Sequence, residues 1–374
     1  MITFIIHSLM YAKYFILIMR KVHIMERKIT RKDIAQKAGT SVSVVSRALN
    51  KSGYVEEEKR RKILQIAREL NYIPNVGTGA LREQKTKQIV FFCNDLRNPF
   101  YIQMYQGMLD AVRDKEYRVV LDGNTILKDI RGITADGIIF SNQIMAGRYL
   151  DTYGKNYDIP IVCASYGDTI DMKKAITMVE VDMFKAVEIG LSYLWSMGHH
   201  KIAYATPYNT EYSSREIAYV SWLRERHINP EKYMIKVPLC YEQDSPYFDY
   251  HVLGRMAAFN YVESNNSASA ILAFNDEYAY GIMDGLLEKG ISIPEDVSIV
   301  GMDGTYTRQY MSPGLTTVSL FPEKQGALCV HNMMNIIDKK SHKYITRITP
   351  KIIEENTVSQ RKGSKARENT SCFG

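Results

Sequence analysis

Apolar residues recur at helical spacing in three short runs between Thr30 and Leu70. Their positions are Ile34, Ala35 and Ala38 in the first run, Val44, Val45, Ala48 and Leu49 in the second, and Ile63, Ile66, Ala67 and Leu70 in the third. Thr30 and Asp33 have the spacing of a capping box, and Gly39 supplies the left-handed residue that ends a helix. Ser41 can cap the next helix. The pattern predicts two helices joined by a tight turn and followed by a third, which is a helix-turn-helix arrangement.

The second of these helices presents small and polar side chains on the face opposite its apolar positions. They are Val42, Ser43, Ser46, Arg47 and Asn50. Small side chains with one arginine suit a helix that enters the major groove of DNA. The apolar spacing by itself would also fit any helical hairpin.

The stretch after the third helix contains residues that interrupt a helix. Pro74 prevents its continuation, and Gly77 and Gly79 weaken the run from Asn75 to Leu81 by up to about 1 kcal/mol each relative to Ala. A helix this short does not form alone in water. Residues 74–87 are therefore predicted to be a hinge helix, which orders only on DNA, and a polar linker.

From Gln88 onward, short apolar runs alternate with helical patterns. The predicted strands cover 89–93, 118–122, 137–141 and 159–163, and, after a helix that ends at Met197, 202–206, 234–238, 270–274 and 297–301. This alternation predicts parallel sheets. The strands are too many for one small sheet, so we expect two α/β subdomains, with a ligand cleft at the carboxyl ends of their strands.

Charge is distributed unevenly over the 374 residues, whose net charge is +7. Residues 25–87 hold 15 Lys and Arg against 7 Asp and Glu, whereas residues 88–374 hold 30 against 34. A basic N-terminal domain on a mildly acidic body points to a polyanionic partner, although a solvated charged face would give the same counts.

The five cysteines are scattered and form no Cys-x-x-Cys pair, which fits reduced thiols in the cytoplasm and not a disulfide framework or a zinc site. The sequence contains no nucleophile elbow, phosphate loop or His-Glu-x-x-His pattern. We therefore predict neither an enzyme nor a bound metal or cofactor. Residues 1–24 are apolar but contain His7 and Lys13, so they are either a barely sufficient membrane tether or the product of an upstream start codon. We favour Met25 as the start and expect no membrane association.

The order of several motifs resembles the LacI/GalR family of bacterial transcription regulators from about Ile29 to Gln360. In the first part of the chain the matching positions are Asp33-Ile34-Ala35, Ala38-Gly39, Ser41, Val45-Ser46-Arg47, Leu49-Asn50, Val55, Arg60, Leu70, Tyr72, Pro74-Asn75 and Leu81. Further along they are Asn98-Pro99-Phe100, Asp136-Gly137-Ile138-Ile139, Gly198-His199, Asn275-Asp276, Pro294-Glu295-Asp296-Val297 and Leu315-Thr316-Thr317-Val318.

The resemblance implies an all-α helix-turn-helix headpiece at 29–73, the hinge and linker at 74–87, and an α/β core like a periplasmic binding protein at 88–360. The two parallel-sheet lobes of the core are expected at about 88–181 with 303–319 and at about 182–302 with 320–360. The polar residues 361–374 are predicted to be disordered.

Members of this family bind palindromic operators as dimers. The resemblance assigns base contacts to Val42, Ser43 and Arg47, with Arg47 best suited to a guanine. It assigns phosphate contacts to Ser46, Asn50 and Tyr72, and a wedge in the minor groove to Leu81.

For the effector, family positions correspond to Phe100, Tyr101, Arg215 and Asp276. An aspartate and an arginine can fix the oxygens of a small polar molecule, and an aromatic ring can stack on its apolar face. The alternative for Arg215 and Asp276 is a salt bridge between the lobes. Three positions depart from the family pattern, with Gly79 in place of an arginine, Ser165 in place of an aspartate and Met183 in place of an asparagine.

These observations predict a cytoplasmic, homodimeric regulator, most simply a repressor, whose affinity for operator DNA is controlled by a small effector. A sugar or sugar derivative is the default effector for the family. The alternative is a solute-binding protein of a sugar transporter, which would have no use for a basic headpiece.

Overall fold

A computed structural model describes residues 29–50, 53–70, 72, 86–123, 135–153, 159–167, 176–207, 213–237, 249–264 and 266–361. The predicted hinge, with Leu81, therefore lies outside the described residues. So do the N-terminal extension, residues 362–374 of the predicted tail and the segment 124–134.

The headpiece contains the three predicted helices, α1 (Arg31–Ala38), α2 (Val42–Asn50) and α3 (Glu57–Glu69). Thr30 and Asp33 make the capping box, and Gly39 adopts a φ of 64° at the end of α1. The Ser41 carbonyl accepts the first helical hydrogen bonds of α2. The apolar positions of the three helices form one small core, whose buried members are Ile34, Ala35, Ala38, Val45, Ala48, Val55, Ile63, Ile66 and Ala67.

The core begins with β1 (Gln88–Phe92), α4 (Pro99–Val112), β2 (Arg118–Asp122), β3 (Gly137–Phe140), α5 (Gln143–Tyr153), β4 (Ile161–Ser165) and β5 (Thr177–Val181). It continues with α6 (Met183–Ser196), β6 (Ile202–Pro207), α7 (Ser214–Arg224), β7 (Met234–Val237), α8 (Tyr250–Glu263), β8 (Ala270–Ala273), α9 (Asp276–Glu288) and β9 (Ser298–Asp303). The last elements are β10 (Thr317–Ser319), α10 (Pro322–Ile337), β11 (Ile345–Ile348) and β12 (Lys351–Ile353).

These strands form two six-stranded sheets, one in each lobe, as the alternation predicted. The order is β11-β5-β4-β3-β1-β2 in the first lobe and β12-β10-β9-β8-β6-β7 in the second. All pairings are parallel except that between β10 and β12. Both sheets carry helices, so their strands are almost continuously apolar.

The predicted division of the lobes is wrong in the C-terminal part of the chain. β10 pairs with β9 and therefore belongs to the second lobe, whereas α10 packs on α4, β4 and β5, and β11 pairs with β5 in the first lobe. β12 then returns to the second sheet. The chain thus passes between the lobes three times, after β5, after β10 and after β11.

In each lobe a pair of helices is packed at backbone distance through glycines. A Cβ atom at Gly107 of α4 would overlap the backbone of Glu323 in α10, and one at Gly326 would overlap that of Met104. Gly254 of α8 and Gly281 of α9 make the corresponding close approach in the second lobe. These glycines are required because no other residue lacks the Cβ.

Candidate nucleic-acid interface and ligand cleft

The outward face of α2 is held rigidly because its opposite face is buried. Val45 and Ala48 are fully buried, whereas Val42 is 44% exposed and Ser43 and Arg47 are also exposed. The stem of Arg47 runs beside Gly53, where an added Cβ would lie 3.1 Å from the arginine Cδ. The geometry leaves these three side chains free to reach a groove, although DNA contact remains a prediction.

The predicted phosphate contacts Ser46 and Tyr72 are joined by a residue that the sequence reasoning missed. Arg31 donates from Nε to the Tyr72 hydroxyl at 3.2 Å and from Nη1 to the Ser46 hydroxyl at 3.1 Å. Its position directly after the Thr30 cap was the available signal, because the first turn of a helix points its backbone N–H groups toward anions. Asn50 ends α2, and Leu81 lies outside the described residues.

The core contains a cleft of about 310 Å³ between its lobes. The first lobe contributes the loop after β1, and the second contributes the first turns of α8 and α9; the lining residues are Asp95, Arg97, Asn98, Asp249, Tyr250, His251 and Glu277. The cleft therefore lies at the carboxyl ends of strands, where open α/β sheets bind ligands.

Two predicted residues of the first lobe, Phe100 and Tyr101, closely follow Asn98, which lines this cleft. Phe100 follows the Asn98 cap of α4 and is buried, with its ring edge-on to Tyr101 and Tyr166. Burial raises the pKa of the Tyr101 hydroxyl, and the negative charge of Asp303 in the second lobe adds to this effect. The two lobes therefore present polar groups to each other at this point.

Asp276 does not have the geometry of an effector contact. It is fully buried, and its carboxylate accepts hydrogen bonds from the Thr305 amide at 2.7 Å, the Thr305 hydroxyl at 2.8 Å and the Thr317 hydroxyl at 2.5 Å. All of these donors lie in the second lobe, so the carboxylate ties the loop after β9 to α9. The geometry argues against ligand contact and against an interlobe salt bridge.

A second aspartate, Asp303, has the properties expected of Asp276. It ends β9 and is buried, and its pKa is raised well above the ordinary value by burial and by the charges of Asp276 and Glu277, the second of which lines the cleft. The positive charge of Arg215 opposes this rise. The signal that could have found Asp303 was its place at the carboxyl end of a buried strand.

The predicted Arg215 lies in the same cluster. Its guanidinium carbon is 4.7 Å from the centre of the Phe274 ring, which also stacks on Tyr250 at 5.7 Å. The Nε of Arg215 is buried and has no hydrogen-bond partner in the described structure. An arginine with a free donor, a buried carboxyl and aromatic faces can hold a polar ring that has one apolar face.

Two family positions that differ in this chain lie in the protein interior. Met183, the first residue of α6, is buried, and Ser165 is buried at the end of β4, where its carbonyl accepts from Gln325 Nε2 at 3.4 Å. These positions therefore contribute to packing.

Within the described residues, no cluster of three potential metal-ligating side chains is found. In the same part of the chain, no helix is long and apolar enough to cross a membrane.

Comparisons with known proteins agree with this architecture. Residues 30–75 match the model for bacterial regulatory proteins of the lacI family, and residues 191–358 match that for a periplasmic binding protein-like domain. A probable HTH-type transcriptional repressor, ExuR of Bacillus subtilis, is 30% identical over 84% of this chain and 93% of its own length. The repressor PurR of Vibrio atlanticus is 29% identical over 88% of this chain and 98% of its own length.

Solved structures share the fold. The lac repressor dimer bound to operator and an anti-inducer superposes with a TM-score of 0.61 at 19% identity, covering 89% of this chain and all of that one. A LacI family regulator from Enterococcus faecium with bound ribose superposes with a TM-score of 0.62 at 23% identity. The superposition covers 74% of this chain and all of that one. The protein therefore belongs to the LacI family of DNA-binding transcriptional regulators and is not an enzyme.

Proposed function

We propose that this protein is a cytoplasmic, homodimeric repressor that binds a palindromic operator and is controlled by a sugar or sugar derivative in the interlobe cleft. The proposal that the protein binds DNA is supported by the exposed face of α2. On this face Val42, Ser43 and Arg47 project from the packed three-helix core. The proposal of a dimer is supported by the similarity of this chain's fold to that of the lac repressor dimer bound to operator. The rival proposal, a transporter's solute-binding protein, leaves the headpiece without a role.

The observation that carries the effector proposal is the grouping of the buried Asp303 with Arg215 and with Tyr250, which lines the cleft. Phe274 packs on both Arg215 and Tyr250. A buried carboxyl can accept hydrogen bonds from ligand hydroxyls, the free Nε of Arg215 can donate to a ligand oxygen, and a pyranose or furanose ring has an apolar face for an aromatic ring. Structural relatives with bound ribose, cellobiose and lactose make sugars the first class to test.

Two aspartates that differ in their partners provide a matched test. Titration calorimetry with neutral monosaccharides, uronates and amino sugars identifies a ligand of the wild type. Asp303→Asn is then expected to weaken the binding of that ligand by about tenfold, because a buried polar group left without its hydrogen-bond partner costs about 1–3 kcal/mol. Asp276→Asn instead lowers the free energy of unfolding, because its amide group would face the Thr305 and Thr317 donors. Equal ligand affinity in Asp303→Asn and the wild type would contradict the effector site.

A further inference from the structure

The carboxylate of Asp136 holds the first residues of the core. Its Oδ1 accepts hydrogen bonds from the Thr86 amide and hydroxyl, both at 2.8 Å. Its Oδ2 accepts from the Lys87 amide at 3.1 Å and from the Tyr117 hydroxyl at 3.0 Å. One side chain thus engages four donors, three of which belong to the two residues that enter β1.

The backbone around Asp136 completes this clamp. The Asp136 amide donates to the Gln88 carbonyl at 2.8 Å, and the Arg118 amide donates to the Lys87 carbonyl at 2.9 Å. The entering chain therefore lies between the starts of β2 and β3. Lys87 has a φ of 56°, a left-handed conformation that a non-glycine residue adopts only where its surroundings fix it.

The clamp is built for an ionised carboxylate. Burial opposes the ionisation of Asp136, but the hydrogen bonds from Thr86, Tyr117 and Lys87 outweigh burial and hold its pKa below the ordinary value. By contrast, the ion pair of Lys87 Nζ with Glu116 at 2.9 Å is exposed, and exposed pairs of this kind contribute little.

Thr86 follows directly on residues 73–85, which connect the headpiece to the core in sequence. A conformational change in the core can alter the position of the headpieces only if the core end of that connection is fixed to a lobe. Asp136 accepts three hydrogen bonds from Thr86 and Lys87, and it directly precedes β3 of the first lobe.

We propose that Asp136 is the positioning residue that fixes the connection to the first lobe, so that operator affinity depends on its carboxylate even where the core stays folded. The inference rests on the proposed function. A role limited to the stability of β1 would affect unfolding but not operator affinity at temperatures well below the unfolding midpoint.

The test uses the full-length protein and a palindromic duplex selected from random DNA by the wild type. Operator affinity is measured by fluorescence anisotropy, and stability by thermal unfolding. Asp136→Asn keeps the shape of the side chain but turns an amide toward backbone donors, so operator affinity is expected to fall at least tenfold. Thr86→Val removes one of the four hydrogen bonds to Asp136 and is expected to weaken operator binding by about threefold. If Asp136→Asn does not fold, the operator affinity of Thr86→Val tests the inference.

Two variants serve as controls. Thr357→Val removes a buried hydroxyl of the second lobe that donates to the Ile299 carbonyl at 2.7 Å and accepts from the Thr316 amide at 2.9 Å. It is expected to lower stability with operator affinity unchanged. Glu116→Gln removes only the exposed partner of Lys87 and is expected to change neither quantity.

If Asp136→Asn and Thr86→Val bind the selected duplex as tightly as the wild type, the inference is overturned while the proposed function stands. The inference is also overturned if Thr357→Val weakens binding as much as Asp136→Asn at equal loss of stability. A wild type that selects no consensus sequence overturns the proposed function itself, and the inference with it.

Discussion

At the scale of single residues, Arg47 is the side chain most suited to reading a base, because it is the exposed cation on the outward face of α2. An arginine can bond to both the O6 and N7 atoms of guanine, a contact that contributes about 1–3 kcal/mol of discrimination. Arg47→Ala is therefore expected to weaken operator binding by about tenfold or more and to relax the preference at one position of each half-site. Competitive binding to single-base operator variants measures both effects.

Lys37→Ala is the matched control for Arg47→Ala. It removes an equal charge, but Lys37 lies on α1 and is paired with Glu69 of α3 at 3.0 Å. Its loss is expected to leave base preference unchanged. A uniform loss of affinity across all operator variants in Arg47→Ala would identify Arg47 as a phosphate contact instead.

His199 makes the stability of the second lobe dependent on pH. It is buried between the Ser269 hydroxyl and the Ser359 carbonyl, each 3.0 Å from a ring nitrogen, and burial lowers its pKa below the ordinary value of 6.5. The unfolded chain therefore binds the proton more tightly, so stability falls as the pH drops through this ordinary value.

Urea unfolding between pH 7.5 and pH 5.5 measures this effect. The unfolding free energy of the wild type is expected to fall over this range, and that of His199→Gln to fall by less. His200→Gln, which changes an exposed position, is expected to behave like the wild type. An unchanged pH dependence in His199→Gln would assign the effect to other groups.

The sequence identified the site residues only in part, because their partners are distant along the chain. Asp276 and Asp303 both lie at strand ends, and no local pattern distinguishes them. What separates them is that Thr305 and Thr317, 29 and 41 residues beyond Asp276, occupy its oxygens. The outward face of α2, by contrast, depends only on helical periodicity, and its prediction as an exposed face is confirmed at Val42, Ser43 and Arg47.

At the scale of elements, the close packing of α4 and α10 predicts that an added methyl group between them lowers the stability of the core. A methyl group at Gly107 would overlap the backbone of Glu323, so the two helices must separate to accommodate it. Gly107→Ala is expected to destabilise the core by about 1–3 kcal/mol, the usual range for overpacking. Denaturant unfolding measures this cost, and Gln106→Ala, on the exposed side of α4, provides the control. A Gly107→Ala protein as stable as the wild type would show that the helices separate freely.

Most of the helices and strands were predictable from the hydrophobic pattern, whereas four of the strands were not. The helices of the headpiece and the strands β1 to β4 and β6 to β9 were predicted within a few residues. β5, β10, β11 and β12 were missed. These strands exist because a neighbouring strand pairs with them, which is a tertiary cause.

At the scale of the whole molecule, the three passages of the chain between the lobes define how the core can move. Two compact sheets joined only by short segments can change their relative arrangement at those segments without breaking either sheet. The sequence predicted two lobes, but it did not predict that β10 belongs to the second lobe and α10 to the first. No local pattern shows which of two sheets a strand will join.

The mechanism proposed for this protein requires that occupancy of the cleft changes operator affinity. A ligand that binds one arrangement of the lobes more tightly increases the population of that arrangement. If operator DNA also binds the two arrangements with different affinities, the ligand must change the affinity of the protein for DNA. The most direct measurement is a titration of the selected palindromic duplex with the full-length protein, without and with a saturating sugar identified by calorimetry. We expect the sugar to change the operator dissociation constant of the wild type by at least fivefold and that of Asp303→Asn not at all. A ligand that saturates the core while operator affinity stays the same would contradict this mechanism.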